Sequence, residues 1–320
     1  MLRVGVPAMI DPALHALLPR EVEVVVLSEP SAATEVDFWI VPPVEDVART
    51  MWANLRGVRV AQSTLAGVDW LLRLVDGKAT VCDARGVHDI STAEWAVAAT
   101  LAALKNFPLY RDIQREGRWD ERMRAPKNYA QLHHDERRHF PPIMLDELHG
   151  KRVLIVGYGA IGSKIEQLMT PFGVVFDRVA RSTRPGVASI SALPDLLPQA
   201  DVVVLIVPLT EETRGLISER ELAAMKQGAL LVNAARGPVV KTDALIAALH
   251  AGKICAALDV TDPEPLPDGH PLWSAPNVLI TPHIGGAGPQ FMRRAMQLAA
   301  EQLGRMLRNE PLENIVTGAY

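Results

Sequence analysis

One short segment restricts the fold of this chain more than any other, V-L-I-V-G-Y-G-A-I-G at residues 153–162. Its apolar run predicts a buried strand, its glycines predict a turn, and the residues that follow have helical spacing. This order is typical of a parallel α/β sheet that binds a dinucleotide. Gly157 then permits the tight turn, Gly159 lets a diphosphate approach the backbone, and Gly162 allows the helix to pack closely on the strand. A glycine-rich turn that binds no ligand is the alternative interpretation.

Short apolar runs alternate with helical stretches on both sides of this segment, which predicts parallel α/β sheets. A length of 320 residues, 48% of them hydrophobic, fits two domains of roughly 150 residues, each with its own core. Residues 117–149 lack such a pattern and are predicted as a loop. The predicted strands are Leu2–Val6, Val22–Leu27, Phe38–Val41, Val58–Gln62, Val153–Val156, Val174–Val179, Val202–Val207, Ala229–Asn233, Ala256–Asp259 and Val278–Thr281. The predicted helices are Pro12–Leu18, Val44–Asn54, Val68–Leu74, Ser91–Gln114 (with Ser91 or Thr92 as N-cap), Ile161–Met169, Leu193–Leu197, Ser218–Ala224, Thr242–His250 and Pro289–Met306.

Three charged residues follow apolar, strand-like runs: Arg236 in L-L-V-N-A-A-R-G, Glu264 in L-D-V-T-D-P-E-P and His283 in L-I-T-P-H-I-G-G. Each is expected to project from a strand end or an adjoining loop. An arginine fork can bind carboxylate and carbonyl oxygens together, and a histidine exchanges protons near neutral pH. A carboxylate bonded to an imidazole orients it and favours its protonated form. Taken alone, each residue has an alternative interpretation. Arg236 would be a surface ion-pair partner, Glu264 a solvated turn residue and His283 a core histidine.

A glycine loop followed by an arginine, a carboxylate and a histidine, in this order, resembles the D-isomer-specific 2-hydroxyacid dehydrogenases. The resemblance is densest from Val153 to Gly286. It implies an α/β fold of two doubly wound parallel-sheet domains, a Rossmann NAD(P)-binding domain and a flavodoxin-like substrate domain, with a cleft between them. In this family the last helix returns to the first domain. The expected domains are therefore residues 1–90 with 288–320 for the substrate, and residues 91–287 for the cofactor.

The resemblance also implies what the site residues do in the reduction of a 2-oxo acid. Arg236 would hold the substrate carboxylate and polarise its carbonyl, His283 would deliver the proton, and Glu264 would support the imidazole. The N–H groups of Ala160 and Ile161, at the helix start, would bind the cofactor diphosphate. Further cofactor contacts are expected from loops at the strand ends, with Thr213 supporting its own loop. These residues are Val207, Pro208, Thr213, Ala234, Ala235 and Asp259.

The end of the second strand of the cofactor domain should decide which nucleotide binds. NAD-preferring Rossmann domains carry an acidic residue there, about 20 residues beyond the glycines. Against the family pattern this position falls at Ala180, while Asp177 falls earlier, within the strand. Arg181, Ser182 and Arg184 follow and could bind a 2′-phosphate with charge-assisted hydrogen bonds. We therefore expect NADP to be preferred over NAD; a solvated basic turn is the alternative.

A second anion site is expected in the first domain, in S-T-L-A-G-V-D at residues 63–69. By resemblance, backbone N–H groups around Leu65, Ala66 and Gly67 would bind the substrate carboxylate. An ordinary strand-to-helix turn would have a similar sequence. Trp273, further along the chain, is interpreted as a core residue.

Composition limits the partners and the compartment of the chain. With 33 basic and 37 acidic residues, the charge balance gives no reason to expect nucleic acid or an anionic membrane as partner. Cys82 and Cys255 have no metal-ligand spacing, and we expect a reducing cytoplasm and no signal peptide. His133, His134 and His139 lack an acidic or cysteine frame and are interpreted as solvated, so no metal is expected. By resemblance the chain forms a homodimer through the Ser91–Gln114 helix, although that alanine-rich face would equally suit a domain core.

These observations predict an NAD(P)-dependent 2-hydroxyacid dehydrogenase that acts mainly as a reductase of a small 2-oxo acid, of the glyoxylate or hydroxypyruvate type. The alternative is a non-catalytic NAD(P)-sensing partner protein, similar to the related transcriptional corepressors. Such a protein can retain the arginine, glutamate and histidine, so these three residues do not discriminate between the two.

Overall fold

The structure is a computed structural model that describes residues 1–28, 33–134 and 145–317. The chain forms two compact units, Met1–Asp89 with Ala287–Tyr320 and Ile90–Gly286. His139, interpreted above as solvated, lies outside the described residues. No helix within the described ranges is both long enough and apolar enough to span a membrane.

The first unit contains a parallel sheet of five strands. They are β1 (Leu2–Pro7), β2 (Val22–Leu27), β3 (Phe38–Val41), β4 (Val60–Ser63) and β5 (Thr80–Cys82), in the order β2–β1–β3–β4–β5. This is the flavodoxin-like order, as predicted. Strand β3 is buried along its whole length, because helices cover both faces of the sheet. Those helices are Glu45–Asn54, Asp69–Val75 and the last helix, Phe291–Leu307, with a 3₁₀ turn at Pro12–Leu17.

A buried amide network ties the last helix to strand β4. Gln302 is fully buried; its Nε2 donates to Gln62 Oε1 at 3.2 Å and to the Glu313 carbonyl at 2.6 Å. The Glu313 N–H donates in return to Gln302 Oε1 at 3.0 Å. Gln62 Nε2 in turn donates to the carbonyls of Ser63 and Asp83. Apolar contacts reinforce the tie, since side chains of the last helix belong to the same core as those of β1 and β3.

The second unit contains a parallel sheet of seven strands. They are β6 (Arg152–Val156), β7 (Val175–Ala180), β8 (Ala188–Ser189), β9 (Val202–Leu205), β10 (Ala229–Asn233), β11 (Ile254–Leu258) and β12 (Val278–Ile280). Their order, β8–β7–β6–β9–β10–β11–β12, is the Rossmann order with one added strand. The flanking helices include Ala160–Met169, Leu193–Leu196, Glu219–Ala224 and Thr242–His250. The predicted α/β class with two doubly wound sheets is confirmed.

The predicted single helix Ser91–Gln114 is wrong, because the chain forms two helices there, Asp89–Leu104 and Phe107–Glu116. Asn106 between them is left-handed, with φ of 53°. Pro108 has no N–H and would clash with the preceding turn of a continuous helix, so it occupies the first turn of a new one. The predicted N-cap at Ser91 or Thr92 is also wrong. The first helix already begins at Asp89, whose carboxylate favours a helix N-terminus.

Several short elements were not predicted. Part of the predicted loop 117–149 forms a 3₁₀ turn at Trp119–Met123 and a helix at Arg124–Leu132. This helix buries few side chains, so its sequence lacks a clear apolar period, and Pro126 falls in its first turn, where proline is tolerated. Strand β5 is too short to give an alternating pattern.

The amide network predicts a specific loss of stability. Gln302→Leu should lower the free energy of unfolding by about 1–3 kcal/mol, because it leaves the amide oxygen of the buried Gln62 without its donor and removes two hydrogen bonds to the Glu313 backbone. Chemical denaturation measures this loss. Gln297→Leu is the matched control, since Gln297 lies on the same helix and is exposed. Equal stability of the two variants would contradict a structural role for the network.

Candidate active site

Arg236 lies in the turn that follows strand β10. Asn233, the last residue of that strand, is buried and shapes the turn with both ends of its side chain. Its Oδ1 accepts the Ala235 N–H at 3.0 Å, and its Nδ2 donates to the Arg236 carbonyl at 3.2 Å. The guanidinium of Arg236 donates to the Ala235 carbonyl at 2.7 Å. Sequence reasoning missed Asn233, although an asparagine just before a turn commonly bonds to the backbone ahead of it.

Gly237 brings this turn against the segment that follows strand β11. A Cβ atom at Gly237 would lie 1.8 Å from the Thr261 carbonyl oxygen, so no residue with a side chain fits without moving the backbone. The close approach joins the Arg236 turn to the loop that carries Glu264 three residues later. Arg236 and Glu264 are near enough for the positive charge of Arg236 to act on the Glu264 carboxylate.

Glu264 and His283 form a direct pair. His283 Nδ1 donates to Glu264 Oε1 at 2.6 Å, and 47% of the His283 side chain and 38% of the Glu264 side chain are exposed. A carboxylate can only accept, so Nδ1 carries the proton and Nε2 is left to exchange one with a ligand. The Thr261 N–H, 3.4 Å from Glu264 Oε2, holds the carboxylate from its other side.

The pKa of Glu264 lies below its usual value. Burial is the largest influence and acts to raise this pKa, but it is outweighed by the hydrogen bond and charge of His283, the Thr261 N–H and the charge of Arg236. Since folding lowers this pKa, the ionised carboxylate stabilises the folded state above the usual carboxyl pKa. That contribution is lost as the pH falls through the lowered value.

Asp259, at the end of strand β11, has both carboxylate oxygens engaged within the chain. It is 3% exposed; Oδ1 accepts from Thr281 Oγ1 at 2.6 Å and from the Ile284 N–H at 2.9 Å, and Oδ2 accepts from the Gly285 N–H at 2.7 Å. These contacts hold the loop that carries His283. A direct contact of Asp259 with the cofactor stays a prediction.

The glycine loop has the geometry of a diphosphate cradle. Gly157 has φ of 108°, and a Cβ there would lie 2.5 Å from the Ile206 carbonyl oxygen at the end of the neighbouring strand. A Cβ at Gly162 would be 3.0 Å from the Gly157 carbonyl, so helix and loop are in close contact. At Gly159, by contrast, a Cβ would have no atom of the described part of the chain within 4 Å. The loop is therefore open where a diphosphate would reach the N-terminus of the Ala160–Met169 helix.

Strand β7 ends at Ala180, so Asp177 lies within the strand, as predicted. Its carboxylate pairs with Arg152 at 2.9 Å. Arg181, Ser182 and Arg184 are exposed in the turn that follows. Arg184 donates to the Tyr158 carbonyl in the glycine loop, and its guanidinium carbon lies 5.7 Å from the centre of the Tyr158 ring.

The loop after strand β9 is held by Thr213. This residue is buried; its hydroxyl donates to the Pro208 carbonyl at 2.6 Å and accepts the Thr210 N–H at 2.8 Å. Its hydrogen is thus used within the loop, which fits the predicted supporting role better than a direct cofactor contact. Val207 is buried and Pro208 exposed. Ala234 and Ala235, also assigned to the cofactor, precede Arg236 and are half-buried and buried, respectively.

In the first unit, the predicted anion site follows strand β4. Leu65, Ala66 and Gly67 are half-buried. The Leu65 N–H donates to Ser63 Oγ at 2.9 Å. The contributions of Leu65, Ala66 and Gly67 to substrate binding stay predictions.

Two further interpretations need correction. Trp273 is not a core residue; it is 51% exposed, and its indole donates to the Pro267 carbonyl at 3.0 Å. His133 is half-buried and stacks on Tyr129 with ring centres 4.2 Å apart, so it is not simply solvated. Among the residues that the structure describes, no three His, Cys, Asp or Glu side chains form a group suited to a metal ion.

The chain belongs to the D-isomer specific 2-hydroxyacid dehydrogenase family, whose NAD-binding domain profile matches residues 97–285, more than half of the chain. A glyoxylate reductase of Aeropyrum pernix is 36% identical over 243 residues, which cover 74% of this chain and 69% of that protein. A D-3-phosphoglycerate dehydrogenase of Methanocaldococcus jannaschii is 35% identical over 245 residues, 74% of this chain but 43% of that protein. Relatives of similar identity thus act on different substrates.

Among solved structures, a D-isomer specific 2-hydroxyacid dehydrogenase from Xanthobacter autotrophicus Py2, in complex with NADPH and MES, superposes with a TM-score of 0.78. It is 29% identical, and the match covers 99% of this chain and 98% of that one. The family is one of oxidoreductases that use a nicotinamide cofactor, in agreement with the geometry of the glycine loop.

The close contact at Gly237 predicts that Gly237→Ala separates the two turns. We expect a loss of about 1–3 kcal/mol in the free energy of unfolding from overpacking, measured by chemical denaturation. Gly304→Ala is the matched control, because the added methyl group there meets the flexible end of Arg308 at 3.1 Å and alanine favours a helix. If Gly237→Ala is as stable as the wild type, the two turns are not held by this contact.

Proposed function

We propose that this protein reduces a small 2-oxo acid to the D-2-hydroxy acid with NAD(P)H, as a reductase of the glyoxylate or hydroxypyruvate type. The observation that carries the proposal is the Glu264–His283 hydrogen bond of 2.6 Å beside the turn that carries Arg236. A protonated imidazole supported by a carboxylate supplies a proton, and a nearby guanidinium binds an anion. These are the two groups that reduction of a 2-oxo acid requires from the protein.

In this mechanism Arg236 binds the substrate carboxylate and carbonyl oxygens with its planar fork. The nicotinamide, when bound, supplies the hydride to the carbonyl carbon. His283 donates its Nε2 proton to the carbonyl oxygen, which becomes the hydroxyl of the product. Glu264 stabilises the protonated imidazole before transfer and keeps the ring oriented through Nδ1. The oxidation of a D-2-hydroxy acid follows the same path in reverse.

The cofactor in this proposal is NADP in preference to NAD. Gly157, Gly159 and Gly162 would admit the diphosphate, with the N–H groups of Ala160 and Ile161 pointing at it. The absence of an acid at Ala180, together with the exposed Arg181 and Ser182, supports a 2′-phosphate site. Arg184, already bonded to the glycine loop, would support the turn and add charge.

The proposal includes a homodimer in a reducing cytoplasm. Support for the dimer comes from the helical region 89–116, where Ile90 is 45% exposed and Phe107 is 59% exposed, since exposed apolar side chains favour an interface. Support for the compartment comes from Cys82 and Cys255, which are both free thiols.

The proposed reaction predicts turnover of NADPH with glyoxylate, hydroxypyruvate or a longer 2-oxo acid. His283→Gln should lower kcat by about 10²–10⁴, the usual share of general acid catalysis, with little change in NADPH binding. His250→Gln is the control, because His250 is exposed at the end of another helix. Retention of NADPH binding without turnover of any 2-oxo acid would favour the nucleotide-sensing alternative instead.

The proposed cofactor preference predicts a kcat/KM about 10- to 100-fold higher with NADPH than with NADH, equivalent to one or two charge-assisted bonds. Ala180→Asp combined with Arg181→Ala should reverse this order, because the new carboxylate repels the phosphate and can bind the ribose hydroxyls. Asp177→Ala should leave the preference unchanged, since Asp177 pairs with Arg152 inside the strand. A wild-type preference for NADH would overturn the assignment.

A further inference from the structure

The backbone at His283 adopts a conformation that is uncommon for residues other than glycine. Its φ of 53° is left-handed, which side chains other than glycine adopt at a cost. The imidazole itself is half exposed, so its burial does not hold the loop in place. The His283 N–H donates to the Asp259 carbonyl at 2.8 Å and to the Thr281 carbonyl at 3.0 Å. Neighbouring groups must therefore fix this conformation if the ring is to face Glu264.

Trp95 holds the loop on the side that precedes His283. It lies on the Asp89–Leu104 helix, and its indole Nε1 donates to Thr281 Oγ1 at 3.0 Å. The same hydroxyl donates to Asp259 Oδ1 at 2.6 Å. Because a hydroxyl has one hydrogen, the indole donor leaves that hydrogen committed to Asp259 and fixes the direction of the chain Trp95–Thr281–Asp259.

Trp95 and Asp259 also hold the loop on the side that follows His283. Asp259 accepts the N–H groups of Ile284 and Gly285. A Cβ at Gly285 would lie 2.8 Å from Asp259 Oδ2 and 3.3 Å from the Trp95 ring, so the Gly285 backbone lies directly against both side chains. The residues on the two sides of His283 are thus fixed by one tryptophan and one buried carboxylate.

We propose that Trp95 is a positioning residue for the reaction, acting through Thr281 and Asp259 to set the His283 imidazole against Glu264. This inference rests on the proposed function. Loss of the indole N–H would free the Thr281 hydroxyl and loosen the backbone around His283. The glycine loop lies elsewhere in the sheet, so binding of the cofactor diphosphate there should not depend on this chain of hydrogen bonds.

Trp95→Phe tests the proposal, because it keeps an aromatic ring and removes the donor. We expect kcat for 2-oxo acid reduction to fall about 10- to 100-fold, as for small misplacements of a catalytic group, with a much smaller change in the Kd for NADPH, whose diphosphate is expected at the glycine loop. Thr281→Val should reproduce these changes. Thr281→Ser, which keeps the hydroxyl, should have the activity of the wild type.

Trp119→Phe is the matched control, since Trp119 is 82% exposed. An unchanged kcat in Trp95→Phe would overturn the proposal. So would a lower kcat with unaltered ¹⁵N shifts of the His283 ring, because that result indicates a loss of folded protein rather than misplacement of His283.

A second measurement separates this inference from the proposed reaction. The ¹⁵N shifts of the His283 ring, assigned by their absence in His283→Gln, report in the cofactor-free protein whether Nδ1 keeps its proton in the bond to Glu264. Trp95→Phe and Thr281→Val should alter these shifts and Thr281→Ser should not. Altered shifts in a protein that reduces no 2-oxo acid would support the positioning role while refuting the proposed function. Unaltered shifts would refute the positioning role whatever the activity.

Discussion

The close approach of two turns is the constraint on which the rest of the site depends. Strands β10, β11 and β12 are neighbours in one parallel sheet, and neighbouring strands lie about 4.8 Å apart. Their carboxyl ends therefore present Arg236, Glu264 and His283 along a single edge. The spacing between strands alone would leave the turns after β10 and β11 side by side. Because residue 237 is a glycine, the backbone of the first turn comes into close contact with the Thr261 carbonyl in the second.

The same edge of the sheet carries the cofactor loop. Strands β6 and β9 are neighbours in the sheet, although β7 and β8 lie between them in the sequence. Such a reversal of strand order opens a crevice where nucleotides bind in sheets of this kind. Gly157 lies against the end of β9, so the glycine loop begins at this reversal. The glycine loop and the residues Arg236, Glu264 and His283 thus follow strand ends of a single sheet.

Much of this arrangement was predictable from the sequence, because it depends on local patterns. Apolar runs placed most of the strands, and the residues directly after them included Arg236, Glu264 and His283. Asn233 was missed despite its local signal, whereas Trp95 and the contact of Gly237 were not predictable. Their importance depends on partners brought together by the fold, in the case of Trp95 and Thr281 across 186 positions of the chain. The break at Asn106 was missed although Pro108 signalled it, because apolar residues continue on both sides of it, with Leu104 before it and Phe107 after it.

The position of the last helix in the chain affects the order in which the two units can fold during synthesis. Met296, Ala299 and Leu303 of that helix share a core with Val4 and Phe38, near the start of the chain. During synthesis, the core of the first unit stays incomplete until residues 291–303 have left the ribosome. The second unit, Ile90–Gly286, is continuous and is complete earlier. The usual order, in which the N-terminal domain matures first, is therefore inverted here, and chains interrupted before the last helix would expose the apolar face of the first sheet.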